Sequence, residues 1–155
     1  MKIKVESEIT VFEENQLADD KRELITHAEK AINNAYYPYS GFGVGAAIRL
    51  KSGKIVIGNN QENAAFPSGL CAERVAAFAV KAQFPNDDIT EIAIAIKPSK
   101  PVEFDFAPPC GACLQVLSDI ETRQKNKISI LIKGKMGRIY TTYSTKAFLP
   151  FSFEF

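Results

Sequence analysis

Two short stretches carry the residue types that can do chemistry. One is Cys71-Ala72-Glu73-Arg74 and the other is Pro109-Cys110-Gly111-Ala112-Cys113. Their cysteines are the only 3 in a chain of 155 residues. Cys110 and Cys113 stand at i and i+3, so in the first turn of a helix both sulfurs face one point. Cys71 opens a second helical stretch. If the two helix starts meet, their positive ends converge on the sulfurs and favour thiolate over thiol. A structural zinc takes four protein ligands. Here the cysteines stop at 3, and the single histidine, His27, lies far off in sequence. The fourth position is left to water, whose pKa zinc lowers toward ~7. Glu73, two residues past Cys71, is placed at the opening turn to take that water's proton. Three thiolates carry excess negative charge, and Arg74 is the residue placed to donate to one of them.

Each feature has a plainer reading. A Cys-x-x-Cys alone fits a redox pair or a structural staple. The third cysteine, Cys71, with Glu73 at the start of another helix, turns the reading toward catalytic zinc. His27 reads as a surface or packing residue.

The elements that must position these groups follow from the rest of the chain. Composition is 46% hydrophobic and 24% charged, enough to bury a core. The net charge of +1 speaks against a nucleic-acid grip. The charged start MKIKVESEITVFEENQ lacks the apolar core of a signal peptide, and no apolar run approaches the ~18 residues of a membrane helix. The expectation is a cytoplasmic protein with no membrane partner, whose reduced thiols favour metal over disulfide.

Residues 1–20 read as an amino-terminal arm or edge strand, and residues 21–155 as the catalytic domain. Leu24, Ile25, Ala28 and Ile32 keep helical spacing after Asp19-Asp20, up to Pro38. Val44 to Leu50 and Lys54 to Ile57 read as a hairpin around Lys51-Ser52-Gly53. A polar loop then leads to Cys71 and an alanine-rich helix ending near Pro85. Ile89 to Ile96 reads as a buried strand. Three prolines mark the loop before Cys110, where Pro109 suits a helix opening. That helix runs to about Gln124, and strands follow at Ile128 to Ile132 and Arg138 to Tyr143. The tail Phe148-Leu149-Pro150-Phe151-Ser152-Phe153-Glu154-Phe155 is apolar enough to need a cover, such as a second subunit. Helices alternating with strands and one hairpin give an α/β fold on a mixed sheet.

The chain resembles the small zinc-dependent cytidine deaminases of the homotetrameric type. The residues that carry this are Tyr39-Ser40-Gly41-Phe42-Gly43-Val44-Gly45-Ala46-Ala47, Asn60-Gln61-Glu62-Asn63-Ala64, Cys71-Ala72-Glu73-Arg74 and Pro109-Cys110-Gly111-Ala112-Cys113-Leu114-Gln115. The similarity runs from about Glu23 onward. It implies a three-layer α/β/α fold with a five-stranded mixed sheet. It also implies deamination of cytidine and 2′-deoxycytidine in pyrimidine salvage, with one Zn²⁺ per subunit on Cys71, Cys110 and Cys113. Glu73 matches the proton shuttle. Asn60 and Glu62 match the pair that holds the ribose 3′-hydroxyl, and Phe42 the aromatic near the base. Ala72 counts among the substrate contacts, and Phe153 matches a terminal phenylalanine that reaches a neighbouring subunit's site. The chain departs from the pattern at Leu114, where the family usually has arginine, and at Phe66, where it often has tyrosine. Rival readings are deamination of another cytosine nucleoside, a zinc-stapled binding module and a nucleic-acid editor. The Asn60/Glu62 pair, the intact Glu73 and the neutral charge, respectively, speak against them.

Overall fold

The computed structural model describes residues 1–134 and 136–154. Six strands form one mixed sheet in the order β1-β6-β5-β4-β2-β3. They are β1 (Thr10–Glu13), β2 (Phe42–Leu50), β3 (Ile55–Asn59), β4 (Ile89–Pro98), β5 (Ser129–Lys133) and β6 (Arg138–Thr142). The helices are α1 (Asp19–Ala31), α2 (Ala72–Gln83) and α3 (Gly111–Gln124). Only β4 and β5 pair in parallel, joined by the crossover that contains α3; every other pair is antiparallel. Five of these strands are the expected ones. The sixth corrects the five-strand expectation: β1 pairs with β6 in the register Thr10↔Thr141 to Glu13↔Arg138. Of residues 1–20, read as an arm or edge strand, Thr10–Glu13 becomes strand, at the sheet edge where β6 offers a partner.

The pleat explains the layers. In β2 and β4, Ala47, Ala93 and Ala95 face α1 while Ile48, Ile92 and Ile94 face α2 and α3. Small side chains let α1 lie close. Gly45 makes the same point, because a Cβ there would stand 2.0 Å from the carbonyl oxygen of Ala28. On the opposite face the isoleucines interdigitate with Ala76, Val80, Leu114, Leu117 and Ile120.

α2 sits on β3 through Gly58. A Cβ there would lie 2.5 Å from both the Ala72 oxygen and the Ala76 nitrogen. The first turn of α2, which carries the Cys71 stretch, therefore rests directly on strand backbone. α1 ends earlier than the Pro38 boundary, passing into a short 3₁₀ turn at Ile32–Asn34. Phe148 and Leu149 pack on the α2/α3 side of the core, whereas Phe151 is 70% exposed. Phe155, the last of the tail phenylalanines, lies outside the described residues.

Candidate functional site

Cys71 and Cys110 are the N-cap residues of α2 and α3, both with extended backbone angles. Neither side chain accepts a capping hydrogen bond, so the sulfurs are not spent on their own helices. Cys113 follows at the third helical position of α3. Pro109 stands just before the N-cap rather than at the first helical position, which Gly111 takes. Among the described residues, these 3 cysteines form the one group with metal-ligating geometry, all sulfurs within 4.8 Å of one another. Cys71 to Cys110 is 3.8 Å and Cys110 to Cys113 is 3.4 Å. Tetrahedral zinc with Zn–S bonds near 2.3 Å would hold its sulfurs about 3.8 Å apart, so the donor set fits that ion.

The triad runs from surface to core: Cys110 is exposed, Cys71 half-buried and Cys113 buried. Arg74 Nη2 lies 3.9 Å from Cys71 Sγ, and its Nε is buried without a hydrogen-bond partner. A cation left partly unpaired beside sulfurs is suited to a set of thiolates. The Cys71 thiol is held down to about 5, chiefly because Cys113 donates to it and then because of Arg74. Cys113, the donor, is pushed the other way.

Glu73 is 5% exposed. Burial raises its carboxyl to about 7, and the negative charge of Cys71 adds to the rise. Cys113 contributes a hydrogen bond that partly opposes it. A carboxyl group balanced near neutrality can take a proton and give it back.

Beside Cys71 and Arg74 opens a cleft of about 510 Å³, also lined by Asn60, Glu62, Tyr39 and Phe66. Asn60 is buried and fixed from both ends of its amide. Its Oδ1 accepts from the Val44 N–H at 2.8 Å, and its Nδ2 donates to the Phe42 carbonyl at 2.8 Å. One proton and one lone pair of that amide remain for a ligand. Glu62 Oε2 accepts from the N–H groups of Tyr39 and Ser40 at 2.9 and 3.2 Å. With the Ser40 hydroxyl as the first cause, these bonds hold the carboxyl below its ordinary value.

The structure thus brings Asn60, Glu62, Cys71 and Arg74 onto one cleft. Phe42, Ala72, Glu73 and Phe153 lie off its walls. Phe42 begins β2, its ring 6.1 Å from that of Phe104. Ala72 is fully buried against β3, and Phe153 is 68% exposed. Leu114 is 5% exposed within the α2/α3 core, which gives its apolar side chain a physical reason. Phe66 is 73% exposed and meets Tyr39 edge-on at 5.6 Å.

Two groups that position the site have no sequence-level reading. Asp105, in the loop before Cys110, accepts from Arg138 Nη2 at 2.8 Å, from the Tyr140 hydroxyl and from the Met136 N–H. Gln115 was visible only as part of a matching stretch, and its side chain holds the tail at Phe153.

Comparison with known proteins agrees with this geometry. Residues 18–128 match the family described as the cytidine and deoxycytidylate deaminase zinc-binding region. A cytidine deaminase of Halalkalibacterium halodurans is 41% identical over 101 residues, covering 65% of this chain and 72% of that protein. One from Sporosarcina psychrophila is 38% identical over 100 residues, covering 64% and 69%. Among solved structures, the cytidine deaminase of Burkholderia pseudomallei superposes with a TM-score of 0.71 at 34% identity, covering 84% of this chain and 97% of that one. That of Mycobacterium tuberculosis gives 0.67 at 26% identity, covering 89% and 100%.

Proposed function

The chain belongs to the family of the cytidine and deoxycytidylate deaminase zinc-binding region, and on that premise we propose that it is a zinc-dependent cytidine deaminase. It hydrolyses cytidine, and 2′-deoxycytidine with it, to the uracil nucleoside and ammonia, in pyrimidine salvage. The observation that carries the reading is the meeting of 3 cysteine sulfurs beside a buried carboxyl held near neutrality.

Cys71, Cys110 and Cys113 would hold one zinc per subunit, and the ion would supply an acidified water. Glu73 takes a proton from that water and delivers it to N3 of the base as oxygen adds to C4. It then takes the remaining proton of the added hydroxyl and carries it to the amino group, which leaves as ammonia while the oxygen stays on the ring as a carbonyl. Arg74 offsets the thiolate charge. Asn60 and Glu62 hold the ribose hydroxyl, Phe42 and Ala72 border the base, and Phe153 reaches the site of a neighbouring subunit. The catalytic domain is residues 21–155, with residues 1–20 as an arm that adds β1. The assembly is a homotetramer in the cytoplasm. Support for assembly comes from Phe66, Phe78, Phe151 and Phe153, all large apolar side chains exposed on a single chain. Among the described residues, no helix is long and apolar enough to cross a membrane.

The test is the ultraviolet change of free cytidine with zinc-replete protein, with Glu73→Ala as control. Conversion by the wild type alone supports the reading. No conversion by protein holding one zinc per chain overturns it.

A further inference from the structure

The tail is held by its backbone at Phe153 while Phe153 itself is exposed. Gln115 lies on α3, two residues past Cys113. Its side-chain amide makes both bonds that a neighbouring strand would make to Phe153. Nε2 donates to the Phe153 carbonyl at 2.8 Å, and Oε1 accepts from the Phe153 N–H at 3.0 Å. Nearly one turn on, Ser118 Oγ donates to Ser152 Oγ at 2.9 Å. Lys146 Nζ donates to Ser152 Oγ at 2.6 Å and also reaches the Glu154 carboxylate. Three consecutive residues are therefore pinned to α3 and the turn before the tail. Yet Phe153 is 68% exposed. Ordering a terminus costs chain entropy, and an exposed ring recovers little of it by burial within its own chain. The clamp makes physical sense as preorganisation for something the ring meets outside the chain.

We infer that Gln115 is a positioning residue for substrate binding. It fixes the backbone at Phe153 so that the ring is presented, already oriented, to the cleft of a second copy of the chain. This rests on the reading of Phe153 given above and adds the residue that aims it. Gln115 shares α3 with Cys110 and Cys113, so the metal end of one site and the aromatic cover of the next are set by one rigid helix. Losing the clamp leaves the ring attached but spread over many orientations. Substrate affinity falls, while proton transfer at Glu73 is untouched.

The test uses full-length, zinc-replete protein and steady-state kinetics with cytidine. Gln115→Met keeps the side-chain length and loses both bonds. It is expected to raise KM about five- to tenfold with kcat within about twofold of wild type. Zinc content, melting temperature and assembly size stay as in the wild type. Phe153→Ala raises KM further, and the double variant is no worse than Phe153→Ala alone, because the clamp acts only through the ring. If Gln115→Met misfolds, Gln115→Asn draws the amide back by one methylene and is expected to raise KM likewise. An unchanged KM in the Gln115 variant beside a raised KM in Phe153→Ala overturns the role of Gln115 and leaves that of Phe153 standing. An unchanged KM in Phe153→Ala overturns both. Loss of zinc or a drop in kcat in the Gln115 variant also overturns the inference, by moving Gln115 to the metal end.

Discussion

Glu73 and Glu121 are two buried glutamates on neighbouring helices, each 5% exposed, and they are held in opposite ways. Glu121 accepts from four donors. Its Oε1 takes the N–H groups of Ile128 and Thr145 at 2.7 and 3.2 Å. Its Oε2 takes the hydroxyls of Ser144 and Thr145 at 3.0 and 2.7 Å. Those bonds satisfy both carboxyl oxygens and tie α3 to the start of β5 and the turn that begins the tail. Glu73 sits beside sulfurs and is pushed up to about 7 by burial. One carboxylate is fully committed to the fold, while the other is kept where a proton costs little to gain or lose. Equal burial is compatible with structural and chemical work, and the count and direction of hydrogen bonds separate them.

Exchange of each carboxyl for a neutral group should pull the two apart. Glu73→Gln is expected to lower kcat by about a thousandfold, within the range of general acid–base catalysis. Its melting temperature should equal or exceed that of the wild type, because the burial of the carboxyl outweighs the backbone and Cys113 hydrogen bonds that oppose it. Turnover above a few per cent would take Glu73 out of the proton-transfer role. Glu121→Ala reverses the pattern. It orphans the Ile128 and Thr145 N–H groups and is expected to cost about 3 kcal/mol in denaturant unfolding. Its kcat per folded, zinc-bound molecule should stay within about twofold of wild type. Stability lost in the first variant, or kcat lost in the second, would erase the distinction.

Much of the catalytic end was legible because chemistry there needs rare residue types at fixed spacing. Cys71, Cys110 and Cys113 meet as their positions in sequence imply, and five strands and three helices form where residue type and spacing suggest, with α1 stopping short of Pro38. The sixth strand is legible only as one side of a choice, an arm or an edge strand over residues 1–20, and β1 takes the sheet edge. An alternating arm acquires a partner only through a long-range choice of edge, and β6 makes that choice. Glu121 carries no sequence signal, because its four donors come from two separate segments, at Ile128 and at Ser144–Thr145. Nothing in the sequence marks Gly58 as a contact, yet it lets α2 rest on β3. Gly58→Ala is therefore a test of how far the catalytic end leans on the sheet. The expected cost is about 1–3 kcal/mol from overpacking, with weakened zinc retention because the displaced turn carries Cys71. Unfolding and zinc-release measurements on the same sample check this. A variant that loses stability but keeps its zinc would mean that α2 shifts as a rigid body without disturbing the sulfurs.

The smallest effect is expected at the loop that delivers Cys110, where a third carboxylate is only partly buried. Asp105 joins this loop to β6 through Tyr140, Arg138 and Met136, and the Phe106 ring stacks on Tyr140 at 4.1 Å. The Tyr140 hydroxyl first, and Arg138 after it, hold the Asp105 carboxyl below its ordinary value of 3.8. A depressed value means that the folded form favours the anion. The tie is complete above pH 3.8 and is lost as pH falls through the lower folded value. Amide exchange in residues 99–109 should therefore rise on acidification into that window, by a few-fold and ahead of exchange in β4. Asp105→Asn should show the raised exchange already at neutral pH and little further change with acid. A loop whose exchange follows β4 at every pH would place its order in the Phe106–Tyr140 stack, and Asp105 would then resemble neither buried glutamate.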